Sequence, residues 1–99
     1  MNGSYLNETC ELCLLEIRTQ TYQENDFFII MDCDSCKVPM VVWKEHTMDI
    51  PEPDKYVMKG MLQEVAHMFY NDKKYYIDTV QRKIPNHLHW HARAVNKNM

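Results

Sequence analysis

The sequence predicts an α+β domain in which an antiparallel β-sheet carries one long helix on a face. Short apolar, β-prone runs separated by polar turns occur before residue 50 and again after residue 74. Between them lies one stretch whose apolar residues follow helical spacing. The expected element order is therefore β-β-β-α-β-β, a sheet with a single helix packed against it.

The first three strands are predicted as an antiparallel meander over residues 14–43. Leu14–Gln23 carries apolar and β-prone residues in loose alternation, and a turn follows at residues 24–26. Phe27–Met31 and Val38–Trp43 are continuous apolar runs, which suit buried strands. Residues 32–37 form the turn between them.

The helix is predicted over Asp54–Tyr70, after the break marked by Pro51 and Pro53. Asp54 is the expected N-cap, and Asn71 closes the C-terminal end. The apolar stripe consists of Val57, Met58, Met61, Leu62, Val65, Met68 and Phe69. A stripe at this spacing predicts a helix with one face buried against the sheet.

Two further strands are predicted after the helix. Tyr75–Gln81 returns to β-prone sequence, residues 82–86 form a tight proline-containing connection, and His87–Val95 forms the last strand. We expect one domain over residues 1–99, with a polar arm at 1–9 and a frayed tail at 96–99.

Bulk properties exclude several classes of protein. The 99 residues carry a formal net charge of −3, which gives no general attraction to DNA or to acidic membranes. No apolar run is long enough to span a bilayer, and residues 1–8 lack the apolar core of a secretory leader. The sequence therefore predicts a cytoplasmic protein without a membrane segment.

Four cysteines form two CxxC pairs, Cys10 with Cys13 and Cys33 with Cys36. Such pairs at this separation are typical of a four-thiolate zinc site, and the predicted meander brings the first pair beside the second. We therefore predict one structural Zn²⁺ on all four thiols. Redox-active or metal-free cysteines remain alternatives. A zinc-ribbon nucleic-acid binder is disfavoured by the acidic charge.

Three histidines alternate near the C-terminus. If His87, His89 and His91 lie in one strand, their side chains point to the same face. Leu88, Trp90 and Ala92 then face the helix. Three histidines on one face could also bind zinc directly, or could form a chance cluster on a solvated surface.

An HxHxH motif after a turn containing Pro85, at the end of a small α+β chain, resembles the histidine-triad (HIT) superfamily. Lys44-Glu45-His46 resembles the Lys-x-His element with which a strand of that family ends. The N-terminal CxxC of Cys10 and Cys13 is also similar to the opening of many members. The resemblance covers residues 10–94.

The resemblance implies a chemistry for these residues. His89 would attack the α-phosphorus of a nucleotide conjugate and form a covalent intermediate that water hydrolyses. His87 and His91 would orient the imidazole and the phosphate oxygens, and His46 would approach the same site. A neutral imidazole, with a reference pKa of about 6.5, is a good nucleophile near neutral pH. The family typically forms homodimers, so we expect a homodimer here.

The turn before the triad departs from the family pattern. It runs from Gln81 to Asn86 without glycine, so backbone amides are not the expected phosphate contacts. We predict that phosphate is contacted by Arg82, Lys83 and Arg93 instead. Asp78 stands where relatives often have asparagine. The alternative function is a zinc-stabilised module that binds nucleotide without turning it over.

The family also offers a second metal site. In some members zinc is held by the N-terminal CxxC and two histidines that match His46 and His87. Such a site would use Cys10 and Cys13 and leave the second cysteine pair as thiols.

Overall fold

The computed structural model describes residues 12, 20–33, 35–81 and 84–95, and these residues form a five-stranded antiparallel sheet with one helix. The elements are β1 (Thr21–Glu24), β2 (Phe28–Asp32), β3 (Pro39–Trp43), α1 (Glu52–Tyr70), β4 (Tyr75–Asp78) and β5 (His89–Ala94). The strand order is β1-β2-β3-β5-β4, so β5 lies between β3 and β4. The predicted α+β class and element order are confirmed.

The helix packs on one face of the sheet and buries the apolar side chains there. The core on this side comprises Phe28, Ile30, Val41, Trp43, Ile50, Met58, Leu62, Val65, Ala66, Tyr70, Leu88, Trp90 and Ala92. Strand alternation explains the set, because every second residue of β2, β3 and β5 points at α1. The Tyr70 hydroxyl donates a 2.7 Å hydrogen bond to the Ala92 carbonyl and ties the helix end to β5.

The opposite face, called the histidine face below, is built from the intervening residues. Across the strands, Ile29 pairs with Val42 and Val42 with His89. The neighbouring row joins Met31, Met40, His91 and Asp78. Antiparallel pairing fixes this register, so His89 and His91 lie on a floor of buried apolar side chains.

The ends of several elements differ from the sequence-based expectation. The helix begins at Glu52 with Pro51 at its N-cap, so the prediction of Asp54 as the cap is wrong. A proline is tolerated in the first helical turn because its missing N–H would have no partner inside the helix there. β4 ends at Asp78, earlier than expected, and β5 starts at His89, later than expected. β1 occupies Thr21–Glu24, and residues 14–19 of the predicted strand lie outside the described residues.

In the described part of the chain, the one long helix, α1, is not apolar enough over its length to cross a bilayer. Many of its residues, including Tyr56 and Met68, face solvent on the side away from the sheet. This pattern is typical of a helix with one buried face.

A strained residue closes the helix. Asn71 has φ 60° and ψ −114°, which are the angles of the first central residue in a type II′ turn. The Lys73 amide donates to the Tyr70 carbonyl at 3.0 Å and completes that turn. Glycine dominates this position because a Cβ atom is disfavoured at such angles.

We therefore expect Asn71→Gly to raise the free energy of unfolding by about 1 kcal/mol, because it removes this strain. Urea denaturation followed by tryptophan fluorescence measures the change. Asn71→Ala is the matched control and should lower stability, since alanine keeps the Cβ and loses the local tolerance of asparagine. A glycine variant no more stable than the original chain would contradict the assignment of strain.

Candidate functional site on the histidine face

His89 is held in one tautomer by the backbone. Its Nδ1 lies 2.7 Å from the His87 carbonyl oxygen, which can only accept a hydrogen bond, so Nδ1 carries the proton. In the neutral ring Nε2 then carries the lone pair. The side chain is 7% exposed and its ring lies 5.6 Å from that of His91, centroid to centroid. The geometry therefore prepares Nε2 of His89 as a nucleophile or a base.

Gln81 fixes the turn that leads into β5. Its Nε2 donates to the carbonyls of Ile84 and His87, at 3.1 and 2.8 Å, and its Oε1 accepts from the His89 amide at 2.7 Å. The His87 carbonyl thus receives donors from both Gln81 and the His89 ring. The Gln81 side chain thus links the backbone of Ile84, His87 and His89 and orients the chain at the start of β5.

His87 lies just before β5 and is fully buried. Its Nε2 donates to the Trp43 carbonyl at 2.6 Å, and its ring packs edge-on against His46, with centroids 5.3 Å apart. His46 and His87 therefore come together as the second metal alternative requires. The Nε2 of His87 is occupied by the carbonyl, so only its Nδ1 could face a metal in that alternative.

Burial lowers the pKa of His87, and the neighbouring His46 and His89 lower it further, against the opposing effect of the Trp43 carbonyl. The unfolded chain consequently takes up a proton at this position at a higher pH than the folded chain does. The stability that a neutral His87 provides is present above its unfolded pKa, about 6.5, and is lost as the pH falls below that value.

We expect the free energy of unfolding to fall between about pH 7.5 and about pH 5, where an unperturbed histidine titrates. In His87→Gln, whose amide can still donate to the Trp43 carbonyl, the fall should be shallower. Urea denaturation at a series of pH values measures both slopes. Equal slopes in the two proteins would show that His87 does not carry this dependence.

Two cysteines and one histidine form a group on the same face. The ligand atoms of Cys33, Cys36 and His91 all lie within 4.8 Å of one another. Cys33 and His91 are buried and Cys36 is exposed. Neither cysteine is in a disulfide. This is the arrangement of a candidate metal site with two thiols and one imidazole.

The loop around Cys36 favours its ionised form. Burial alone opposes loss of the proton, but contacts with Cys33, Arg93 and Ser35 outweigh it and lower the pKa of Cys36. A thiolate is the form that binds metals. The electrostatics of the loop therefore agree with a metal-binding role.

Arg93 is engaged by an acidic partner of its own chain. Its Nε donates to Asp78 Oδ2 at 2.7 Å, and Asp78 Oδ1 accepts from the Val80 amide at 3.0 Å. Burial lowers the pKa of Arg93, but the contacts with Asp78 and Cys36 outweigh that effect and raise it. The arginine predicted to contact phosphate thus forms an ion pair in which the Asp78 side chain is only 4% exposed.

The predicted site residues fall into three sets. His46 and His87 form one pair, and His89 and His91 form another. Cys33 and Cys36 form a group with His91. The other predicted ligands and contacts lie outside the described residues; they are Cys10, Cys13, Arg82 and Lys83.

Sequence reasoning did not assign a role to Gln81. Its position at the start of a turn without glycine is the signal that could have found it, because such a turn needs side-chain partners for its backbone groups. The proximity of His91 to the cysteines was also missed. It depends on the pairing of Met40 with His91, which brings β5 beside the β2–β3 loop.

Comparison with known proteins adds no relative: no family model matches the chain, and no curated protein or solved structure matches it. The resemblance to the HIT superfamily therefore depends on the residues of this sequence. The fold is of the α+β class, and His89 and His91 lie on the sheet face opposite the helix.

Proposed function

We propose that this chain is a HIT-type nucleotide phosphate hydrolase or nucleotidyl transferase with His89 as its nucleophile. The observation that carries the proposal is the hydrogen bond from His89 Nδ1 to the His87 carbonyl. It holds the proton on Nδ1, so the lone pair of Nε2 is available for attack. The HxHxH motif supplies the family resemblance, and His89 lies on the sheet face opposite the helix.

The proposed reaction has two displacements. Nε2 of His89 attacks the α-phosphorus, the N–P bond forms, and the bond from phosphorus to the leaving group breaks with its electron pair on the leaving group. Water then attacks the same phosphorus, the N–P bond breaks, and the nucleoside monophosphate leaves. The imidazole becomes cationic while it carries phosphorus, and the His87 carbonyl stabilises that charge through Nδ1–H.

The remaining predicted residues would orient the substrate. His91 and His46 would contact phosphate oxygens, while His87 would position the nucleophile through its carbonyl. Arg82, Lys83 and Arg93 would neutralise phosphate charge. A dinucleoside polyphosphate, a phosphoramidate or another nucleotide conjugate would supply the α-phosphorus.

We also propose that the chain binds a structural zinc ion through its cysteines. The spacing of Cys10, Cys13, Cys33 and Cys36 supports it, and the described pair lies in a loop that favours thiolate. Thiolates are preferred ligands of zinc, and four protein ligands leave no open position for substrate. Zinc would supply folding energy here rather than chemistry.

A homodimer is the proposed assembly. In the described part of the chain, β4 is an edge strand of the sheet, and its Tyr76 is 47% exposed. Met68 and Phe69 are exposed apolar residues near the C-terminal end of α1. Pairing two copies would cover such apolar surface, which suits a chain of this size.

A turnover assay on a panel of nucleotide conjugates tests the proposed reaction. We expect release of the nucleoside monophosphate, and acid-quenched mass spectrometry should detect a nucleotidyl adduct on the peptide that contains His89. Absence of both products across the panel would contradict the catalytic proposal.

The ion pair of Arg93 favours a second candidate function, a nucleotide-binding module that performs no turnover. Phosphoryl transfer needs cations to neutralise the charge on phosphorus oxygens, and Asp78 already neutralises this arginine. Isothermal titration with the same nucleotides separates the two functions. Binding without turnover and without an adduct would identify the module.

A further inference from the structure

We infer that His91, the last histidine of the HxHxH motif, is a metal ligand together with Cys33 and Cys36. The inference rests on the proposed zinc, and it replaces the phosphate contact proposed for His91 with a role as a metal ligand. The ligand atoms of the three side chains lie within 4.8 Å of one another. They come from two parts of the chain that the sheet joins, the loop after β2 and the middle of β5.

The loop between β2 and β3 has the local structure of a sulfur-binding turn. The Cys36 amide donates to Cys33 Sγ at 3.4 Å, and Ser35 Oγ lies 3.6 Å from the same sulfur. Lys37 has φ 62°, a left-handed conformation that turns the chain directly after Cys36. Hydrogen bonds of 2.8 Å from the Cys33 amide to Val38 and from the Lys37 amide to Cys33 close the loop. The turn thus brings two sulfurs together and directs the Cys36 amide at one of them.

The donor set fits zinc. Two thiolates and one imidazole are soft and borderline ligands, which suit Zn²⁺ and not magnesium or calcium. A tetrahedral zinc ion with Zn–S distances of about 2.3 Å separates two sulfurs by about 3.8 Å, so the present group needs only a small contraction to bind it.

The assignment links the metal to the proposed nucleophile. The His91 ring lies edge-on to the His89 ring, with centroids 5.6 Å apart. Coordination would fix the orientation of the His91 ring and therefore the surface against which His89 packs. His91 becomes a positioning residue on this view, and Cys33 and Cys36 share their metal with an imidazole that the four-cysteine set predicted from sequence did not include.

Zinc binding by the reduced full-length chain tests the inference. Metal content is measured by plasma mass spectrometry, and affinity by competition with a chelating dye. We expect about one zinc per chain, and a loss of affinity of at least about tenfold in Cys33→Ser, Cys36→Ser and His91→Asn. The matched control is His67→Asn on the exposed side of α1, which should retain the affinity of the original chain.

X-ray absorption at the zinc edge of the unmodified protein gives a second measurement that does not depend on a variant folding. We expect imidazole scattering beside a shell of sulfur, and its disappearance in His91→Asn. An all-sulfur shell, or unchanged affinity in His91→Asn, would overturn the assignment of His91 while leaving the proposed zinc intact. A chain that binds no zinc would overturn both. None of these measurements uses a nucleotide, so a failure of the proposed catalysis appears separately in the turnover assay.

Discussion

His89→Ala is expected to lower kcat for nucleotide conjugates by at least about 10³-fold, the scale of loss seen when a covalent nucleophile is removed. The variant lacks Nε2, so no N–P bond can form. The floor of buried apolar residues beneath the ring and the bridge made by Gln81 remain in place, because Gln81 contacts the His89 backbone and not its side chain. The loss should therefore appear in turnover and not in folding.

Acid-quenched mass spectrometry on the same samples gives the direct readout. An adduct should form on the original chain and be absent from His89→Ala. His67→Ala is the matched control, because His67 is an exposed histidine of α1, on the opposite side of the sheet. Turnover that survives in His89→Ala, or an adduct that maps to another residue, would contradict the role of His89 as nucleophile.

The parts of the fold that were predictable depend on local patterns. The apolar stripe of residues 57–69 and the two continuous apolar runs before it identify α1, β2 and β3, because side-chain periodicity follows directly from backbone geometry. The same alternation correctly separated Leu88, Trp90 and Ala92, which pack with the helix, from His89 and His91. The first helical turn was missed because two prolines usually indicate a break.

The parts of the candidate site that were not predictable depend on contacts between distant residues. The grouping of Cys33 and Cys36 with His91 follows from the pairing of β3 with β5, which one sequence does not specify. The bridge of Gln81 requires β4 to end at Asp78, earlier than its β-prone sequence suggests. Chain topology places these residues together, and periodicity carries no information about it.

The ion pair between Asp78 and Arg93 was likewise hidden from the sequence, and it predicts a large asymmetry between two variants. Removing Arg93 leaves a carboxylate that is 4% exposed without its guanidinium, whereas removing Asp78 leaves an arginine that is 27% exposed and reaches water. We expect Arg93→Met to lower the free energy of unfolding by about 3 kcal/mol and Asp78→Ala by about 1–2 kcal/mol.

The double variant Asp78→Ala with Arg93→Met is the control, since it removes the buried charge together with its partner. It should recover part of the stability that Arg93→Met loses, and a double-mutant cycle from urea denaturation measures this coupling. If Arg93→Met were instead close to the original chain in stability and weakened nucleotide binding, Arg93 would be a phosphate contact and not a structural one. The difference in stability between Arg93→Met and Asp78→Ala therefore shows whether Arg93 stabilises the fold or binds the substrate.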